Sequence, residues 1–327
     1  MKFMKTALIR DTDSFGSAPY NDEHLAFIRS QSDLLPQHIN RENFSDQLEA
    51  LKEVELFFSA YPMVPLTEEQ LDQLPNLKAV FYAGGSVASF AEPFIERGVH
   101  VFSARAGNAI PVAQYSFACT LLGLKSFWYS QREFTAGNHD EVYYQKAGAG
   151  IYNDSVAVVG MGAIGTLLCQ LLEGLNLEVI QVPSRESRRT VSIQEAFERA
   201  FVVINLLPDR EDNRGDLREE HFLSMRKGAT FINAGRGAQV DEPGLISALR
   251  KRTDLTAVLD VTAPEPCAMD SDLRSLANCV LTPHLAGSIG KESQRMADMM
   301  IESFKLWLDG EVDSSCLIDA EECRRMA

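Results

Sequence analysis

Short apolar runs alternate along the chain with stretches in which apolar residues recur three and four positions apart. Early on, the runs Thr6 to Ile9, Leu56 to Ser59, Ala79 to Tyr82 and His100 to Phe102 read as strands. Thr67 to Leu74 reads as a helix with Thr67 as its N-cap, and Gly84-Gly85 and Gly98 mark turns. This alternation predicts a small α/β domain. Asn108 to about Lys125 then forms a long, mostly apolar helix, with Pro111 near a first turn where a missing N–H does no harm. Because it is apolar on more than one side, it is expected to pack against another subunit or between lobes. A polar, glycine-containing connection over 137–153 leads to further strands at Val156 to Val159, Val179 to Val182, Phe201 to Leu206, Thr230 to Asn233, Thr256 to Leu259 and Cys279 to Thr282. Helical patterns separate most of them, which implies a doubly wound parallel sheet. A last helix, about Ser288 to Leu308, carries Met296, Met299, Met300, Phe304 and Trp307 at helical spacing, a stripe expected to be core.

One junction in this pattern has a chemical reading. Val156 to Val159 runs into Gly160-Met161-Gly162-Ala163-Ile164-Gly165, and Ile164, Leu167, Leu168, Leu171, Leu172 and Leu175 follow at helical spacing. A strand feeding three spaced glycines and a helix seats a dinucleotide pyrophosphate. The first glycine permits the tight turn, the second lets backbone approach the phosphates, and the third lets helix pack on strand. The helix N-terminus then directs unpaired N–H groups at the anion.

Length and composition set the limits. At 327 residues, two domains are expected; 45% hydrophobic and 24% charged residues describe an ordinary globular protein. The net charge of −15 argues against nucleic acid and anionic membrane partners. No apolar run approaches the roughly 20 residues of a membrane span, and the apolar stretch before Arg10 is too short for a signal-peptide core. The six cysteines lack metal-type spacing, so reduced structural thiols, no metal site and a cytoplasmic location are expected.

In doubly wound sheets, ligands sit at the carboxyl ends of the strands. Three such ends carry ionisable groups: Phe231-Ile-Asn-Ala-Gly-Arg-Gly237, Val258-Leu-Asp-Val-Thr-Ala-Pro-Glu-Pro266 and Val280-Leu-Thr-Pro-His-Leu-Ala-Gly287. Hydride transfer from a dinucleotide to a carbonyl needs a cation to polarise it, and Arg236 offers a planar fork that also suits a carboxylate. It needs a proton donor to the forming alkoxide, and His284 is the histidine just past a strand end. An acid beside it would hold its tautomer and favour its charged form, the role suited to Glu265. His24, His38, His100, His139 and His221 read as structural.

Those strings, in that order after the glycine turn, resemble the D-isomer-specific 2-hydroxyacid dehydrogenase family. The resemblance runs from Asn108 to Gly287, and more loosely over Phe81-Tyr-Ala-Gly-Gly-Ser-Val87, which looks like the family's substrate loop. It implies a Rossmann cofactor domain over 107–286, inserted into a smaller flavodoxin-like α/β substrate domain made of 1–106 and 287–327. It further implies that Asp260 orients the nicotinamide side and that Leu207, Pro208, Ala234, Gly235 and Gly287 join the glycine turn in holding the cofactor. Backbone N–H groups of Gly84, Gly85, Ser86 and Val87 are expected to hold the substrate carboxylate in a nest. Gln114 stands where many members have Glu, Ala88 where Asp is common, and Thr262 where an aromatic is frequent. None of these removes a proposed catalytic group.

The second dinucleotide strand ends at Pro183-Ser184-Arg185, about 18 residues after Gly165, where a ribose-reading acid is expected. Without a carboxylate to repel a 2′-phosphate, and with Arg188 and Arg189 also near, the loop favours NADP(H), with NAD(H) as the other possibility. The sequence therefore reads as an NAD(P)-dependent oxidoreductase acting on a small 2-keto acid such as glyoxylate, hydroxypyruvate or pyruvate, working as a homodimer. The alternative is a nicotinamide-sensing, co-repressor-like binding protein of the same family. A sensor has no use for Arg236, Glu265 and His284 together, which favours the enzyme. Formate oxidation is disfavoured because formate dehydrogenases of this superfamily pair Gln, not Glu, with the histidine.

Overall fold

The computed structural model describes residues 3–12, 19–138 and 148–326. His139 and most of the 137–153 connection lie outside the described residues. The fold divides into two compact units, Met1–Asn108 with Ser288–Ala327, and Ala109–Gly287.

The first unit is built on β1 (Lys5–Ile9), β2 (Asp33–Leu34), β3 (Leu56–Ala60), β4 (Ala79–Ala83), β5 (His100–Ser103) and β12 (Leu317–Ile318), in the order β12-β5-β4-β3-β1-β2. All pairings are parallel except that of β12 with β5. Successive side chains face opposite ways: Phe57, Val80 and Val101 join one core, and Phe58, Phe81 and Phe102 the other. Burial on both faces is why these strands read as continuous apolar runs. The second core is closed by the helix Glu292–Leu308, whose Met296, Met300 and Phe304 are buried, with Met299 and Trp307 packed against them. Phe81 stacks between Phe58 and Phe102 with ring centres 5.0 Å away on each side. The methionine stripe is core.

The second unit holds β6 (Asp154–Val159), β7 (Leu177–Val182), β8 (Val202–Asn205), β9 (Thr230–Asn233), β10 (Thr256–Leu259) and β11 (Cys279–Leu281). They form an all-parallel sheet in the order β11-β10-β9-β8-β6-β7. Ala157, Val159 and Val203 face one core, and Val156, Val158, Val202 and Ile204 the other. From β6 the chain goes first to β7 and then back across to β8, so the order reverses where β6 meets β8. That reversal opens a crevice at the carboxyl ends of the strands.

The structure corrects the reading at one place and adds a helix that it did not foresee. The long helix is Arg105–Leu124, starting earlier than Asn108, so Pro111 lies inside it and removes the bond that residue 111 would donate to Gly107. It begins directly out of β5, with Ala104 N–H bonded to Tyr82 O and Asn108 N–H to Ala104 O, and no turn residue marks the junction. The helix Asp22–Gln31 lacks a strong apolar period; it is fixed by a capping box in which Asn21 and His24 bond each other's amides.

Candidate active site

The glycine turn has three different surroundings. Gly160 has φ +110°, and a Cβ there would come within 2.4 Å of the Leu206 carbonyl group. A Cβ on Gly165 would lie 2.1 Å from Gly160 O. Gly162 faces open space and heads the helix Ala163–Leu172 with no side-chain cap. Two glycines thus bring turn, helix and β8 together, and the third leaves the amides of the first helical turn open to an anion. This cradle fits a dinucleotide pyrophosphate. Beyond β8, Leu207 is buried and Pro208 O accepts from Asn213 Nδ2 at 2.9 Å and Gln239 Nε2 at 3.2 Å.

Past β7, Arg189 donates to Pro183 O (3.0 Å) and Ser184 O (2.8 Å), so it braces the loop. Arg185 and Arg188 are exposed. Arg210, beyond β8, reaches Ser184 Oγ at 3.4 Å while Asp212 holds it bidentately. Nothing local in the sequence signals Arg210, because it reaches Ser184 only through the fold of the loops after β7 and β8.

Three neighbouring strands supply the ionisable edge. Glu265, after β10, bonds Nδ1 of His284, after β11. The two side chains are 39% and 45% exposed, and the bond occupies Nδ1 rather than Nε2. Arg236, after β9, donates Nη1 to Gly235 O at 2.9 Å and forms no ion pair among the described residues. It does not touch the His284–Glu265 pair. Its turn packs closely on β10's end, since a Cβ on Gly237 would lie 2.0 Å from the Thr262 carbonyl carbon.

Behind this edge lies a buried polar layer that the sequence reading largely missed. Asn205 and Asn233 are opposite each other in register, and Asn205 Nδ2 donates to Asn233 Oδ1 at 2.9 Å. They bind the amides of Leu207 (3.2 Å) and Gly235 (3.2 Å), and Asn233 also donates to Arg236 O (3.1 Å). Buried asparagines at equivalent ends of adjacent strands were the available signal. Asp260 is 2% exposed, and its carboxylate accepts from Thr282 Oγ1 (2.5 Å) and from the amides of Leu285 and Ala286 (both 2.9 Å). Tyr115 Oη lies 3.2 Å from Thr282 Oγ1. Burial raises the Tyr115 phenol above its ordinary range and pushes the nearby Cys119 thiol up to about 11. Ala234 is buried at the end of β9, and Gly287 ends this unit.

The loop Gly84-Gly85-Ser86-Val87 belongs to the other unit. Ser103 Oγ donates to Gly84 O (3.1 Å) and Gly85 O (2.7 Å), and Asn108 accepts from the Ser288 amide at 2.9 Å. A Cβ on Gly84 would collide with the Tyr82 ring at 2.4 Å. The remaining histidines are structural where described: His24 meets Asp298 at 2.8 Å, His38 meets Thr12 O at 2.8 Å, His100 packs on Trp307 and His221 caps a helix. Among the described residues no helix is long and apolar enough to cross a membrane.

An all-parallel sheet with a glycine cradle at its switch point defines a dinucleotide-binding α/β protein. Residues 117–286 match the model of the D-isomer specific 2-hydroxyacid dehydrogenase NAD binding domain, and the chain belongs to that family. It is 34% identical over 179 residues to glyoxylate/hydroxypyruvate reductase B of Escherichia fergusonii, covering 52% of this chain and 55% of that protein. The chain thus spans about half the length of the curated relatives it matches. Among solved structures, D-mandelate dehydrogenase of Rhodotorula graminis superposes with a TM-score of 0.79 at 19% identity, covering 94% of this chain and 96% of that one. An NADPH-dependent glyoxylate/hydroxypyruvate reductase of Sinorhizobium meliloti superposes with a TM-score of 0.74 at 19% identity, covering 98% of both chains.

Proposed function

We propose that the protein reduces a small 2-keto acid, such as glyoxylate or hydroxypyruvate, to the D-2-hydroxy acid, using NADPH in preference to NADH. The observation that carries this reading is the bond between Glu265 and Nδ1 of His284, which leaves Nε2 outward on the edge that also presents Arg236. The glycine turn, with Met161, Ala163 and Ile164 between its glycines, would hold the pyrophosphate; Ser184 and Arg185 would hold the ribose phosphate. The nicotinamide, when bound, supplies the hydride.

The protein's own groups do the rest. Glu265 accepts from Nδ1–H, so the ring's exchangeable proton sits on Nε2, where His284 delivers it to the developing alkoxide. Arg236 has no carboxylate partner among the described residues, so its fork is offered to bind the substrate carboxylate and polarise the carbonyl. In this reading 107–286 is the dinucleotide-binding domain, and 1–106 with 287–327 is the substrate domain, whose loop amides at 84–87 bind the carboxylate. Exposed Leu122, Phe127 and Phe134, on the helices Arg105–Leu124 and Phe127–Thr135, support a homodimer. The test is oxidation of NADPH and NADH with a panel of keto acids. Absence of turnover with every member would overturn the proposal.

A further inference from the structure

We infer that Tyr115 and Thr282 are positioning residues that fix the aim of His284 through the buried carboxylate of Asp260; the inference rests on His284 being the proton donor proposed above. His284 has φ +54°, a backbone conformation that non-glycine residues rarely adopt. Such a conformation persists where its surroundings over-determine it. Here the His284 amide donates to Asp260 O at 3.0 Å, and the next two amides, of Leu285 and Ala286, each take one oxygen of the Asp260 carboxylate. The shape of the turn that presents the imidazole therefore follows the orientation of that carboxylate.

The orientation is set in turn from behind. Asp260 forms no ion pair among the described residues, so its charge depends on its hydrogen-bond donors. Thr282 has one hydroxyl proton, and the 2.5 Å contact with an acceptor-only carboxylate uses it. In the 3.2 Å contact, Tyr115 must then be the donor to Thr282. Tyr115 thus donates to Thr282 and Thr282 to Asp260, while the amides of the His284 turn donate to the same carboxylate from the other side, so Asp260 links the two. Tyr115 stands on the long helix rather than on the sheet, so it braces the strand end from a separate element. Among the described residues neither has a hydrogen bond to Glu265 or Arg236.

Because Tyr115 reaches Asp260 through Thr282, the two effects should be non-additive: removing Thr282's hydroxyl leaves Tyr115 nothing to act through. Thr282→Val should lower kcat for keto-acid reduction about 10-fold or more, and Tyr115→Phe a few-fold, while KM for NADPH changes less than about 2-fold. The double variant should be no worse than Thr282→Val, and Thr282→Ser should recover most of the activity. In the free protein, the imidazole Cε1–Hε1 NMR signal of His284, assigned through His284→Gln, should move in both single variants. Additive losses, or an unmoved His284 signal, would overturn the inference. If Thr282→Val fails to fold, Tyr115→Phe, which removes one oxygen from a packed ring, decides through the same signal. If the wild-type chain turns over no keto acid, the functional reading fails, whereas the NMR signal still tests the positioning.

Discussion

In the proposed reaction Arg236 and Glu265 act through different chemistry, and single substitutions separate them. Arg236→Ala should leave NADPH binding intact, measured by fluorescence titration, but cut kcat/KM for a keto acid by at least ~10³, about 4 kcal/mol. Arg236→Lys keeps the charge without the fork and should remain severely impaired; near-normal turnover in either variant would remove Arg236 from the site. Glu265→Gln keeps an acceptor for Nδ1–H but replaces the carboxylate with a neutral amide. Its kcat should fall by roughly 10², with KM for NADPH little changed. His284 was legible because a histidine just past a strand end, in a string with Arg236 and Glu265, has a chemical use. Its left-handed backbone was not legible. That conformation depends on bonds to Asp260, which lies far earlier in the chain, just past the end of β10.

At the level of elements, the central strands were readable because both sheets are covered on both faces, which makes those strands apolar runs, whereas β7 alternates, with Glu178 and Gln181 exposed. β2 and β12, with two residues each, have too little pattern to see. The glycines divide by what surrounds them. Gly165→Ala and Gly237→Ala force backbone against backbone and should lower Tm by several degrees, whereas Gly162→Ala points into open space and should keep Tm while weakening NADPH binding about 10-fold or more. An equal Tm loss at all three would show that open space at Gly162 is not what distinguishes it. The helix Glu219–Ser224 carries a pH dependence. Burial holds the imidazole of His221 below its ordinary range, Arg218 adds to this, and Glu220 and Asp216 oppose it. Its Nδ1 also accepts the Arg218 amide at 3.0 Å, which requires the neutral ring. The folded state therefore binds the proton less readily than the unfolded one. The contribution is present above about pH 6.5 and is lost as pH falls toward the lower folded value. Thermal unfolding at pH 7.5 and 5.5 should show His221→Gln losing less on acidification than the wild type; parallel losses would contradict it.

For the molecule as a whole, the net charge of −15 repels an anionic cofactor, and NADPH, with an additional phosphate, more than NADH. A preference for NADPH must come from local cations strong enough to reverse that background. The sequence showed three of them, Arg185, Arg188 and Arg189. The structure redistributes the roles: Arg189 is held by loop carbonyls, Arg210 arrives from beyond β8 to touch Ser184, and Arg185 stands exposed at the loop. The ratio of kcat/KM for NADPH to that for NADH should exceed one and fall as salt is raised, because screening weakens the added phosphate's contacts most. Arg185→Ala should weaken NADPH binding selectively, by roughly 10-fold, while NADH is barely affected, since only a charge-assisted bond to the phosphate is removed. A wild-type ratio favouring NADH would refute the assignment of this loop. A ratio favouring NADPH that survives both Arg185→Ala and high salt would move the selectivity away from the exposed cation, toward the hydroxyl of Ser184 and the partly buried Arg210.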